Sequence, residues 1–113
     1  MGSFETRDDH GSPALRPLRV AVRKEEVYAE ARDMVADLVG WRIVKADDQR
    51  LVLECERAGG LLGRPARVTV RVEGPDGIPS ATVHVRSVTE GGLVSRDRAN
   101  VREFLEPFGR RVG

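Results

Sequence analysis

The sequence predicts an α+β fold, in which an antiparallel five-stranded sheet carries two helices on one face in the order β-α-β-β-β-β-α. Five stretches have the length and composition of strands, and four of them alternate apolar with polar residues, as half-buried strands do. Two further stretches repeat apolar residues at helical spacing. Short connections join the last four strands, which favours a meander of antiparallel neighbours.

The N-terminal segment at 1–16 is polar, contains the turn residues Gly11, Ser12 and Pro13, and has no periodicity. Such a segment has too little apolar surface to bury, so we predict a disordered N-terminal tail. We interpret residues 17–113 as a single α+β domain, since single domains typically have about 100–150 residues.

The first strand and the first helix follow this tail. The stretch LRVAVR at 18–23 places a leucine and two valines at every second position, which predicts a half-buried strand. From Lys24 onward, apolar residues occupy one face of a helix: Val27, Ala31, Met34, Val35 and Leu38. Gly40 ends this helix, because glycine readily adopts the positive φ found after a helix C-terminus.

Four more strands are predicted at 41–46, 51–57, 67–73 and 82–88. The stretch GPDGIPS at 74–80 supplies the turn between the last two. Meander pairing places His84 opposite Arg71. It also brings two outward carboxylates, Glu54 and Glu56, close to the arginines of the neighbouring strand, where cross-strand ion pairs help to specify register.

A last helix near 97–106 has three apolar residues on one face: Val101, Phe104 and Leu105. Pro107 is predicted to end it, because the proline ring clashes with the carbonyl four residues earlier. Ser95 or Asp97 is the expected N-cap.

Charge and composition exclude several functions. The net charge of +1 gives no global reason to expect a nucleic acid or an anionic membrane as the partner. One cysteine, Cys55, and two histidines, His10 and His84, form neither a metal site nor a nucleophile–base pair. The chain has no apolar run near the roughly 18 residues of a membrane span and no signal-peptide pattern. We therefore expect a soluble, cytoplasmic binding protein that is not an enzyme and has no cofactor.

Two six-residue stretches nearly repeat each other: GGLLGR at 59–64 and GGLVSR at 91–96. The strands before them run the same way in a meander, so both loops leave the same end of the sheet. Aliphatic and basic side chains would gather there beside the N-terminus of the last helix, which attracts anions. The predicted site residues are Leu61, Leu62, Arg64, Leu93, Val94, Ser95 and Arg96.

This arrangement of the loops at 58–65 and 91–97 would suit an anionic or amphiphilic ligand, or an acidic segment of a protein partner. In the alternative interpretation the aliphatic side chains fold back and close the open end of the core.

The outer face of the predicted sheet suggests a second function. Alternation places a basic set there: Arg42, Arg67, Arg71, His84 and Arg86. Such arginines could contact the phosphates of a nucleic acid. Sheets that bind nucleic acids also stack bases on aromatic side chains, which this face lacks. A solvated, ion-paired face and a purely structural subunit are the other interpretations.

The segment from GW at 40–41 to NVREFL at 100–105 resembles small bacterial proteins catalogued as domains of unknown function. One such family has a signature near VRSxSRxGxxDxGxNxxRI between its last strand and its last helix. The matching residues are Val85, Arg86, Ser87, Thr89, Gly92 and Asn100, whereas Glu90 replaces an arginine and the D-x-G-x-N core is missing. The element order also resembles the TATA-binding-protein-like fold, β-α-β4-α. The resemblance implies this fold and no particular function, because the fold includes binders of nucleic acids and of apolar ligands.

Overall fold

The computed structural model describes residues 2–59, 63–91 and 96–113. Six strands, two helices and one 3-10 turn follow one another in these residues. The strands are β1 (Gly2–Glu5), β2 (Leu18–Val20), β3 (Trp41–Asp47), β4 (Val52–Arg57), β5 (Ala66–Glu73) and β6 (Ala81–Thr89). The helices are α1 (Lys24–Asp37) and α2 (Asp97–Val112), and the 3-10 turn is Pro13–Leu15.

The six strands form one antiparallel sheet in the order β1-β6-β5-β4-β3, and β2 also pairs with β6. Strands β3 to β6 are the predicted meander, and His84 lies opposite Arg71 as expected. The α+β class, the antiparallel sheet and the order of the elements are therefore confirmed, with β1 as an additional strand.

The first residues of the chain belong to this sheet, which corrects the prediction of a disordered tail over residues 1–16. Strand β1 pairs with the last part of β6. Thr6 is buried, and it exchanges two hydrogen bonds with the backbone of Val85, at 2.9 and 3.1 Å. Leu15 in the 3-10 turn is also buried, and this turn packs against α2. A strand of four residues is too short to display an alternating pattern, so no signal for it can be found in the sequence.

Both helices pack on the same face of the sheet, around one apolar core. Alternate residues of the central strands point into it: Leu53, Cys55, Val68, Val70, Val83 and Val85. The helices cover them with Val27, Ala31, Val35, Val101, Phe104 and Phe108. Among the residues that the structure describes, neither helix combines the length and apolar character needed to cross a membrane.

Helix α2 continues through Pro107, so the predicted end at this residue is wrong. The reason lies in the next residue, Phe108, which has no exposed surface and packs against Phe104 with ring centroids 5.0 Å apart and ring planes tilted by 34°. Burying a phenylalanine contributes about 1.5–3 kcal/mol. This is comparable to the cost of about 3 kcal/mol for a proline in a helix interior. Tertiary packing thus extends the helix past a residue that locally disfavours it.

Candidate functional site

The described ends of the two glycine-rich loops lie side by side. Strands β4 and β6 are both antiparallel to β5, so the loops that follow them leave the same end of the sheet. Gly91 has a φ of +73°, and a Cβ at this position would lie 3.4 Å from Cδ of Arg64. The other loop residues predicted for the site, Leu61, Leu62, Leu93, Val94 and Ser95, lie outside the described residues.

The residue before the first loop, Arg57, is hydrogen-bonded to α2 through its side chain. Arg57, the last residue of β4, donates from Nε to Oε1 of Glu103 at 2.8 Å and from Nη2 to Oε2 at 3.4 Å. The indole N–H of Trp41 donates to Oε1 of the same carboxylate. Gly40, at a φ of +85°, lies against the Arg57 guanidinium, where a side chain would collide. We call these contacts the Glu103 anchor.

Four polar side chains are buried together where the second loop starts and ends: Ser87, Thr89, Asp97 and Asn100. The hydroxyls of Ser87 and Thr89 donate to Oδ1 of Asp97 at 2.6 and 2.8 Å. The amide of Asn100 donates to Oγ of Ser87 at 3.2 Å. Burying a carboxylate is costly unless it is hydrogen-bonded, so these bonds stabilise Asp97 and tie the start of α2 to β6. We call this group the Asp97 cluster.

The Asp97 cluster was not predicted from the sequence, although two signals mark it. The inward positions of β6 change from valine to Ser87 and Thr89 near the end of the strand, and Asp97 and Asn100 are spaced to share a helix face. The sequence predicts Ser95 or Asp97 as the N-cap of α2. The structure has Arg96 at that position, without a capping side-chain bond, and Asp97 in the first turn.

The partial positive charge at the N-terminus of α2 is already compensated by a negative charge, because the buried carboxylate of Asp97 lies in the first turn. Arg96 lines a cleft of about 400 Å³ between β1 and α2. Two other residues of this cleft, Phe4 and Arg98, stack with the guanidinium carbon 5.4 Å from the ring centroid. Arg64 does not line this cleft, so the structure places these two predicted site residues in separate clefts.

Arg64 instead joins two arginines of the outer sheet face. A cleft of about 580 Å³ is lined by Arg64, Arg67 and Arg86, together with Glu56, Pro65, Ala66, Val88 and Glu90. We call it the arginine cleft. Within the described part of the chain, the side chains of Arg64 and Arg86 make no hydrogen bond and no ion pair. The structure therefore combines one residue of the predicted loop site with two of the predicted nucleic-acid site.

The remaining basic residues of the outer face have carboxylate partners. The pairs are Arg42–Glu56 at 3.1 Å, Arg67–Glu54 at 3.8 Å, Arg71–Glu73 at 2.8 Å and His84–Glu73 at 3.3 Å. Exposed pairs of this kind stabilise a fold by no more than about 1 kcal/mol. They do, however, engage the groups that a phosphate backbone would have to contact. This face is thus largely ion-paired, and among the described residues Arg86 is the exception within the predicted nucleic-acid set.

The groups most often used in catalysis are poorly placed for it. Cys55 has no exposed surface, and burial, with a smaller effect of Glu54, raises the pKa of its thiol to about 12. Burial also raises the pKa of Tyr28 to about 12, and the Asp48 carboxylate adds to this shift without forming a hydrogen bond of normal geometry. In the described ranges, no group of three or more His, Cys, Asp or Glu side chains could hold a metal ion.

No protein-family model and no curated protein sequence matches the chain. The resemblances to the bacterial family of unknown function and to the TATA-binding-protein-like fold therefore stay predictions. Solved structures, in contrast, share its fold. The protein TTHA0849 from Thermus thermophilus is 13% identical with a TM-score of 0.64, and the match covers 98% of this chain and 97% of that one.

Two other similar structures come from named proteins. Ara h 8.0201 is 11% identical with a TM-score of 0.56, over 98% of this chain and 97% of that one. The di-domain ARO/CYC protein BexL from the BE-7585A biosynthetic pathway is 14% identical with a TM-score of 0.57. That match covers 99% of this chain and 41% of BexL. At such low identities the likeness shows the fold alone.

Proposed function

We propose that this chain is a binding domain for an anionic, partly apolar ligand, held at the end of the sheet where the two glycine-rich loops leave. The proposal involves no chemical step and no cofactor. The observation that carries it is the closeness of the Arg64 side chain to Gly91, where an added Cβ would lie 3.4 Å from Cδ of Arg64. This side chain has no ion-pair partner among the described residues, and it lies where the two loops approach each other.

The way in which the loops are attached supports this proposal. The Glu103 anchor holds the start of the first loop and the Asp97 cluster holds the start and end of the second, so both attachments involve α2. A site whose surroundings are already fixed loses less conformational entropy when a ligand binds. The leucines and valine at 61, 62, 93 and 94 would supply apolar contacts for the rest of the ligand.

The fold is compatible with this proposal without demanding it, because one fold can host unrelated functions. A role in catalysis receives less support from the chemistry. The Cys55 thiol and the Tyr28 hydroxyl stay protonated near neutral pH, because burial raises both pKa values to about 12. The buried carboxylate of Asp97 is engaged by two hydroxyl groups.

Binding of nucleic acid through the outer face is the competing function, and salt dependence separates it from our proposal. A protein that contacts six or more phosphates loses roughly a thousandfold in affinity between about 50 and 200 mM salt. An anion held by two or three arginines beside apolar groups loses far less. We therefore suggest measuring the binding of decyl phosphate and of a short duplex DNA by calorimetry at both salt concentrations.

We expect decyl phosphate to bind at both concentrations, with affinities that differ by less than about tenfold. We expect duplex DNA to bind weakly or not at all. Tight, steeply salt-dependent binding of DNA together with no binding of decyl phosphate would overturn the proposal in favour of the outer-face function.

A further inference from the structure

We infer that the arginine cleft is the anion-binding centre of the proposed site and that it accepts the doubly charged head of a phosphate monoester. This inference rests on the proposed function, from which it takes that the ligand is anionic. The inference specifies the position of the anion, the residues that bind it and the class of anion that fits.

The three arginines come from neighbouring positions of one surface. Arg64 lies two residues before β5, Arg67 lies on β5, and Arg86 lies on β6. In the sheet register Arg67 is opposite Val88, so Arg67 and Arg86 occupy diagonal positions of adjacent strands on the same face. Long side chains at diagonal positions can reach one another. An anion between them would meet guanidinium groups from both strands.

The three guanidinium groups of the cleft form fewer or longer polar contacts than the other cations of the outer face. The guanidinium groups of Arg64 and Arg86 have no hydrogen bond or ion pair within the described residues. Arg67 forms an ion pair with Glu54 in which the N–O distance is 3.8 Å, too long for a hydrogen bond. A ligand could therefore bind all three without first breaking a short ion pair.

The lining of the cleft favours an anion. Of its two carboxylates, Glu56 accepts a hydrogen bond from Arg42 at 3.1 Å, whereas Glu90 has no cation partner among the described residues. Three guanidinium groups against these two carboxylates leave the lining with a net positive charge. Glu5, opposite Arg86 in the register, is exposed and does not line the cleft.

The chemistry of the lining favours phosphate among anions. A guanidinium group presents its N–H donors as a planar fork that fits two oxygens of a phosphate at once. Pro65 and the half-buried Val88 place apolar surface beside these donors, where the first carbons of an ester could lie. The start of α2 is the less suitable place for the anion, because the Asp97 carboxylate already lies there.

The test compares single arginine variants that each lose one positive charge. Arg64→Gln and Arg86→Gln alter the cleft. Arg50→Gln is the matched control, since Arg50 is exposed, follows β3 at the opposite end of the sheet, and has its nearest carboxylate, Asp47, 3.9 Å away. Each protein is titrated with decyl phosphate, phenyl phosphate and decanoate by calorimetry at about pH 8, where a phosphate monoester is a dianion. Sedimentation with vesicles containing phosphatidic acid is the lipid arm.

We expect Arg64→Gln and Arg86→Gln to weaken decyl phosphate binding by about tenfold or more, as for loss of a hydrogen bond to a charged group. We expect Arg50→Gln to change it by less than about twofold, and decanoate to bind wild type more weakly than decyl phosphate. Unchanged melting temperatures would show that the variants fold, because the substituted cleft arginines bond to no described residue. If phenyl phosphate binds and the same variants weaken its binding, a soluble phosphate ester is a sufficient ligand. If only the vesicles bind, the ligand is a lipid headgroup.

Two results would overturn the inference while leaving the proposed function intact. One is decyl phosphate binding that is the same in Arg86→Gln, Arg64→Gln and wild type. The other is equal affinity for decanoate and decyl phosphate, which would remove the preference for a dianion. If wild type binds neither decyl phosphate nor the vesicles, the proposed function itself fails.

Discussion

The hydroxyl of Tyr28 is a buried polar group without a hydrogen-bond partner in the described structure. Leaving such a group unsatisfied costs about 1–3 kcal/mol. Tyr28→Phe removes the hydroxyl and keeps the ring, so we expect its free energy of unfolding to equal that of wild type or to exceed it by about 1 kcal/mol. Urea denaturation measures this difference.

The titration of Tyr28 provides an independent check, because it is the single tyrosine of the chain. Burial raises its pKa from 10.0 to about 12, so the folded state holds the proton more tightly than the unfolded state. The stability linked to this proton is fully present below about pH 10 and is lost as the pH rises towards about 12. Wild type should therefore lose stability relative to Tyr28→Phe in that range. If the free energy of unfolding had the same pH dependence in both proteins, or if Tyr28→Phe were less stable than wild type at neutral pH, the hydroxyl of Tyr28 would not be the buried, unsatisfied group described here.

Cys55 is also the single residue of its kind, so its reactivity reports directly on its environment. The thiolate is the reactive form, and burial raises the pKa of this thiol to about 12. We expect a thiol reagent such as DTNB to modify the native protein only at the rate at which the fold opens. The same reagent should react within seconds in concentrated guanidinium chloride. Rapid modification of the native protein would mean that this strand position is accessible.

At the scale of secondary-structure elements, α2 is held by packing rather than by local preference. Pro107 lacks the N–H that would bond to the carbonyl of Glu103, so we expect Pro107→Ala to raise the free energy of unfolding by about 1–3 kcal/mol. Phe108→Ala should lower it by about 3–5 kcal/mol, because Phe108 is fully buried. Thermal unfolding of both variants measures the effects. A helix that truly ended at Pro107 would make Phe108→Ala nearly neutral.

The Asp97 cluster joins two elements, α2 and β6, through a buried carboxylate. Removing that carboxylate leaves the hydroxyls of Ser87 and Thr89 without their acceptor. We expect Asp97→Ala to cost about 2–4 kcal/mol of unfolding free energy. Asp33→Ala, at an exposed position of α1, is the control and should change it by less than about 0.5 kcal/mol. Equal effects of the two substitutions in urea denaturation would show that the cluster does not hold the helix.

The elements themselves could largely be predicted from the sequence, because each has a periodic pattern. The inward positions of β4, β5 and β6 alternate, and the face of α1 repeats at helical spacing. Two features could not be predicted in this way, for physical reasons. Strand β1 is too short to show a period, and its stability comes from pairing with a strand more than 80 positions further along the chain. The extension of α2 past Pro107 depends on the buried ring of Phe108, which local propensity does not include.

At the scale of the whole molecule, the sheet register decides which charges become neighbours. The meander predicted that both glycine-rich loops share one end of the sheet, and the closeness of the Arg64 side chain to Gly91 agrees with this. The sequence pattern assigned Arg64 to a loop site and Arg86 to the outer face. It could not join them in one cleft, because Arg64 lies in a loop, whose conformation the alternation of the strands does not give. Cross-strand ion pairs of the outer face, such as Arg42–Glu56 and His84–Glu73, do follow from the register.

The central claim is that the chain binds an anionic ligand at this end of the sheet. The most direct measurement is a ¹⁵N amide NMR spectrum of the full chain titrated with decyl phosphate. We predict that saturable shifts centre on the backbone amides of Arg64, Ala66, Arg86 and Val88, which line the arginine cleft. Shifts confined to Phe4 and the first turn of α2, or no shifts anywhere, would contradict the account.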